Sequence, residues 1–189
     1  MISTPLNRQR GPYFHGLLAQ PNCERCPLQN DTKVYPDGPG PARIAFVGEG
    51  PGLQEVSEGR GFVGASGQLL WQMAEEIGLK REDVWTTNAA LCRPRSVKFP
   101  NGATLPVVRV KVLSAIACRQ RLIQELIAVD PVVIVPLGNF ALWALSDMEN
   151  ARIYAYRGSR IEVDLKTLSD RIARGTAHNP AARLQAGKY

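Results

Sequence analysis

Three short apolar runs constrain this chain more than anything else in it: residues 43–48 (RIAFVG), 83–87 (DVWTT) and 132–136 (VVIVP). Each is too short for a helix, rich in β-branched or aromatic residues, and bounded by Gly, Asn or Pro, which is how a strand buried on both faces reads. Stretches with helical spacing lie between them. Ser66 can cap a helix whose predicted inner face is Leu69, Leu70, Met73 and Ile77 and which stops at Gly78. Residues 111–129 repeat Val112, Ile116, Ile123 and Ile127 until Pro131 ends the pattern. Gly138 and Asn139 open a further helix with Phe140, Leu142, Trp143 and Leu145. Residues 160–164 alternate as a fourth strand, and residues 172–177 offer a fifth. Strands alternating with helices build a mainly parallel sheet covered on both faces. The expected fold class is therefore α/β, a three-layer α/β/α sandwich around a central, mainly parallel sheet of four to five strands. Ligands of such sheets sit beyond the carboxyl ends of the strands, here the loops 48–67, 88–92 and 178 onward.

At 189 residues the chain is expected to form a single domain over 1–189. Residues 1–40, rich in Pro, Gly, Asn and Asp, read as an irregular segment ahead of the first strand. With 44% apolar residues the chain is globular, and runs such as 132–137 are too short to span a bilayer. The N-terminus has two arginines but lacks the apolar core of about 7–15 residues that a secretory signal needs. A cytoplasmic monomer without a membrane partner is expected.

The formal net charge of +6 is a weak pointer to an anionic partner, but its distribution says more. Between positions 93 and 124 stand seven basic residues and no acidic one. That stretch reads either as a surface tracking nucleic-acid phosphates or as a solvated helix face plus a loop. The candidates for phosphate contact are Arg93, Arg95, Lys98, Arg109 and Lys111.

Cys23 and Cys26 form a C-x-x-C pair, whereas Cys92 and Cys118 stand apart and far downstream. Two close thiolates and two remote ones can close a tetrathiolate site that staples the N-terminal segment to the sheet. Zinc and a 4Fe–4S cluster both accept four thiolates, and unconnected structural cysteines fit the spacing too. The glycine loop after the first strand (GEGPG, 48–52) invites a dinucleotide reading that fails on detail. Leu53 stands where the third glycine belongs, and Pro51 removes an N–H that a phosphate would use.

A longer string is far more specific. Residues 48–70, GEGPGLQEVSEGRGFVGASGQLL, closely resemble the first motif of the iron–sulfur uracil-DNA glycosylases, families 4 and 5 of their superfamily. The resemblance continues in TNAALCRP (87–94), in PVVIVPLGNFAL (131–142), and in the placing of all four cysteines. It runs from about residue 20 to His178. It implies a DNA repair enzyme that flips uracil out of single- or double-stranded DNA and hydrolyses its N-glycosidic bond. It also implies a 4Fe–4S cluster on Cys23, Cys26, Cys92 and Cys118. Phe62 matches the ring that stacks on the base, and Asn88 the amide that reads the pyrimidine edge; Gly48 and Gly50 line the substrate side. Glu49, Glu55 and His178 are the candidate catalytic residues, His178 matching a histidine poised at uracil O2. This chain departs from the pattern at Val56, at Gly61 where a proline is usual, and at Asn179 between the histidine and the proline. Gly61 is expected to loosen the backbone just before the stacking ring. Those departures keep an alternative open, a non-catalytic or weakly active iron–sulfur DNA-binding module of the same fold.

Overall fold

The computed structural model describes residues 20–148 and 152–179. Strand β1 (Ile44–Gly48) is the centre of the sheet. β2 (Val84–Asn88) flanks it on one side and β5 (Val133–Pro136) on the other, and both pairings are parallel. The register sets Gly48 opposite Asn88 at the carboxyl edge. Two helices separate β1 from β2: α1 (Leu53–Glu58) and α2 (Ala65–Glu76). A small antiparallel hairpin, β3 (Val97–Lys98) with β4 (Thr104–Leu105), precedes the long α3 (Val107–Val129). After β5 come α4 (Asn139–Ser146) and α5 (Leu165–Ala173).

Alternation along the strands builds the two faces. Ala45, Val47 and Trp85 face the main core with Leu122, Ile123 and Leu126 of α3, Leu142 and Trp143 of α4, and Leu168 of α5. Phe46 points the other way and meets Trp71 of α2, ring centroids 5.7 Å apart. The sheet is thus covered on both sides, the α/β/α arrangement expected from the sequence. Among the described residues, no helix is long and apolar enough to cross a membrane.

Four expectations need correction. Among the described residues the central sheet has three strands, not four to five. Residues 160–164 form no strand, and Ile161 and Val163 stay exposed. Asp164 instead accepts hydrogen bonds from the N–H groups of Lys166 and Thr167 and starts α5, and the spacing Leu165, Leu168, Ile172 packs that helix on the core. Residues 172–177 are the end of α5 and its closing turn. The apolar face of α2 also departs from expectation: Leu69, Met73 and Ile77 are 57%, 59% and 79% exposed and only Leu70 of the four is half-buried, while Gly67 and Ala74 are buried. The cause is close approach. A Cβ on Gly67 would overlap the Phe62 carbonyl, so α2 docks through Gly67, Ala74 and Trp71, with Leu70 half-buried, while Leu69, Met73 and Ile77 turn outward.

The segment from 20 to 40 is irregular and tied at both ends. A 3-10 turn, Cys23–Arg25, leans on α3, and β-bridges join Lys33 to Cys92 and Asp37 to Thr86.

Candidate active site

A cleft of about 640 Å³ opens at the carboxyl ends of β1 and β2, where parallel sheets place their ligands. Gly48, Glu49, Gly50, Phe62 and Asn88 all line it, with Leu137 from the end of β5. Gly48 has no room for a side chain: a Cβ would collide with Asn88 Oδ1 and sit 3.1 Å from Phe62 Cζ. The glycine, the ring and the amide therefore converge on one point. Gly50 packs on the segment after β2, where Pro94 Cδ lies 3.0 Å and the Cys92 carbonyl 3.6 Å from a Cβ position. Asn88 is 6% exposed, and the guanidinium of Arg121 donates to its carbonyl at 2.7 Å from below.

Phe62 has φ of 58°, an uncommon left-handed backbone for a bulky side chain. Its neighbour Gly61 shows no such conformation; its carbonyl accepts from Arg81 at 2.5 Å. That guanidinium ties down the backbone that the glycine leaves free to turn.

The three candidate catalytic residues part company. Glu49 lies in the cleft with both oxygens engaged: Oε2 meets Lys111 Nζ at 3.0 Å, and Oε1 accepts from Phe140 N at 3.3 Å, in the first turn of α4. Glu55 borders the cleft but serves its own loop, accepting from Gly52 N at 3.0 Å, Gly64 N at 2.8 Å and Val63 N at 3.2 Å. Burial pushes its carboxyl up, yet the N–H groups of Gly64, Gly52 and Val63 outweigh this and hold it below the usual carboxylate range. In this structure its carboxylate closes its own loop. His178 is not among the lining residues. Its N–H donates to Asp147 Oδ1 at 2.8 Å and its carbonyl accepts from Arg119 at 3.1 Å, beside the C-terminal cap of α4, whereas the cleft lies at that helix's N-terminal end. The chain after α5 thus returns to the C-terminal end of α4. Pro180 and Ala181, the rest of the histidine element, lie outside the described residues.

The four cysteines converge as free thiols. Asn22 N donates to the Ala117 carbonyl at 2.8 Å, which sets the C-x-x-C turn beside Cys118 on α3. Cys26, Cys92 and Ala117 share one small apolar cluster with Leu28 and Val110. Burial pushes the Cys26 thiol up, and the neighbouring Cys118 and Cys23 add to it despite the Leu28 N–H. Burial carries Cys92 up to about 12, with Cys118 and Cys26 again adding and Lys33 opposing. Buried sulfurs that repel one another as thiolates form a donor set that a cationic centre relieves. Among the described residues no three His, Cys, Asp or Glu side chains close tightly around a single point.

The basic stretch proves to be three different things. Arg119 and Arg121 are 3% exposed and belong to the core. Lys111 is committed to Glu49, and Arg95 grips Asp31 through a two-pronged contact at 3.1 and 2.9 Å. Arg93 is half-buried, and Lys98 and Arg109 are exposed. Sequence reasoning missed Arg81, Trp71 and Arg121, the supports behind Phe62 and Asn88. Their signal was faint, since none lies in the cleft.

A glycine-walled cleft at the carboxyl edge of a parallel sheet, with a ring and an amide meeting at one point, defines an α/β protein that seats a small, flat, polar ligand. The model of the uracil DNA glycosylase superfamily matches residues 35–185, and the chain belongs to that family. A type-4 uracil-DNA glycosylase of Archaeoglobus fulgidus is 38% identical over 148 residues, 76% of this chain and 69% of that protein. One from Thermotoga maritima is 39% identical over 142 residues, covering 74% and 69%. One from Pyrobaculum aerophilum is 35% identical over 133 residues, covering 69% and 63%.

Proposed function

We propose that this chain is a uracil-DNA glycosylase, acting as a cytoplasmic monomer of one domain, that hydrolyses the bond between uracil and deoxyribose and leaves an abasic site. The observation that carries the reading is the meeting of Gly48, Phe62 and Asn88 in one cleft.

The base must first leave the stack, at a cost of about a few kcal/mol that is least in single strands or mismatches. Phe62 offers its face to the extruded ring. The Asn88 amide accepts from uracil N3–H and donates to O4, the reverse of what cytosine presents. Gly48 keeps the wall flat. The bond from C1′ to N1 then breaks with its electron pair passing to uracil, while the sugar gains oxocarbenium character. Glu49, held as it is by Lys111 and the first turn of α4, supplies a fixed negative charge that favours that cation. Water adds its oxygen to C1′, and its proton leaves to solvent or the departing uracil anion. Arg93, Lys98 and Arg109 supply phosphate contacts.

Cys23, Cys26, Cys92 and Cys118 would hold a 4Fe–4S cluster, which accepts four thiolates. When bound it supplies a structural cross-link between the N-terminal segment, the strand β2 exit and α3. Freshly purified protein is expected to absorb in the visible, and Cys118→Ser to bleach it; colour retained in that variant excludes Cys118 as a ligand.

Base release from oligonucleotides bearing uracil, hypoxanthine or xanthine tests the activity. Uracil release is expected, and a coloured preparation that frees none of the three overturns the reading. One observation favours the competing reading of a DNA-binding module without efficient turnover: His178 stands away from the cleft. The same assay decides between them.

A further inference from the structure

Phe62 is the non-glycine residue with positive φ that closes no helix; Asp130 and Asp147, the other two described, are C-caps of α3 and α4. A bulky side chain holds such a backbone only where its surroundings over-determine it. They do so here. Arg81 Nη1 donates to the Phe62 carbonyl at 3.0 Å and Nη2 to the Gly61 carbonyl at 2.5 Å. Trp71 Nε1 donates to the same Phe62 carbonyl at 3.0 Å, and Gly67 closes the remaining side. The guanidinium lies 4.9 Å over the Trp71 ring, which in turn meets Phe62 edge-on with centroids 6.5 Å apart.

The other end of this strap is fixed as well. Arg81 Nη2 lies 3.7 Å from Asp37 Oδ2, the oxygen that Arg60 Nε takes at 2.6 Å. Asp37 is locked to Thr86 by backbone bonds of 3.0 and 2.7 Å in both directions and by the Thr86 hydroxyl at 2.9 Å. Thr86 precedes Asn88 by two residues on β2. Ring and amide are therefore referenced to the same strand, the amide directly and the ring through Asp37 and Arg81. Arg81 is absent from the cleft lining, so it acts through Phe62 or not at all.

We propose that Arg81 is a positioning residue: by bridging Asp37 to the carbonyls of Gly61 and Phe62 it holds the Phe62 ring at a set distance from Asn88. The proposal rests on Phe62 seating the base. Arg81→Ala is expected to lower kcat/KM for uracil in a single strand by about 10- to 100-fold, the size of loss that a small misplacement produces. In a Phe62→Ala background the same change is expected to cost less than about threefold, because the ring it positions is gone. Losses that multiply in the double variant overturn the proposal. Arg81→Lys keeps the charge without the fork; it is expected to fall between and replaces the alanine variant if that does not fold. Hydrogen exchange at the Val63 and Gly64 amides reads the strap without turnover. About tenfold faster exchange in Arg81→Ala or Arg81→Lys is expected, and unchanged exchange overturns the proposal. Wild-type protein that releases no base sinks the glycosylase reading instead, while the exchange result still decides whether Arg81 holds the loop.

Discussion

Asn88→Ala is expected to release uracil about 100- to 1,000-fold more slowly than the unaltered chain, the usual cost of losing one preorganised hydrogen-bond donor at a site of developing charge. Asn88 ends β2 opposite Gly48, 6% exposed. In the proposed reaction its amide N–H donates to uracil O4, which shares the negative charge as the glycosidic bond breaks. The loss should therefore fall on kcat more than on KM. Asn88→Asp keeps the shape and an acceptor but removes the donor, and its charge opposes the departing anion; it is expected to lose at least as much. Single-turnover rates on a uracil-bearing strand measure this, beside a thermal midpoint that reports folding. A rate within threefold of the unaltered chain, in a folded variant, removes Asn88 from recognition.

The largest expected effect on stability lies beneath that residue. Glu125 is 0% and Arg121 3% exposed on their side chains, paired at 2.5 Å within α3. Glu125 Oε1 also accepts from Trp85 Nε1 at 2.8 Å, while Arg121 serves Thr87 Oγ1 at 3.1 Å and the Asn88 carbonyl at 2.7 Å. Glu125→Ala leaves a guanidinium buried without its counter-charge and an indole N–H without an acceptor. The cost is expected to be about 3–5 kcal/mol. For a chain of this size that lowers the midpoint by about 10 °C. Arg121→Met combined with Glu125→Ala should recover part of the loss, since no lone charge remains. Denaturant midpoints check both, and a single-variant loss below about 1 kcal/mol counts against the account.

Much of this architecture was legible because it depends on local pattern. The runs 43–48, 83–87 and 132–136 read as strands, and strands stand there, with boundaries displaced by a residue at most. The glycine loop, Phe62 and Asn88 were legible as a string and meet in space as one wall. What failed depended on partners distant in sequence. Ile161 and Val163 alternate like a strand, but with Asp164 as a cap the chain had a stronger helical option immediately after. Leu69, Met73 and Ile77 looked like an inner face because periodicity reveals a stripe without saying which side of it the sheet will accept; Gly67 decided that. The basic stretch misled in a similar way. Its acidic-free run stops one residue short of Glu125, four positions after Arg121, and that pair is what drew a supposed surface charge into the core. His178 was named from its motif, and a motif does not say where its backbone docks, here beside the C-terminal cap of α4.

The Glu49–Lys111 pair has a consequence for how a polyanion arrives. A carboxylate at the mouth of a DNA-binding cleft would, uncompensated, push phosphates away over roughly a Debye length, about 8 Å in physiological salt. Here an ammonium stands 3.0 Å from it, so from outside the two cancel into a short dipole. A strand sliding past feels no barrier at that point. In the proposed reaction a sugar lowered inside the mouth would meet the carboxylate at close range, where the cancellation no longer holds.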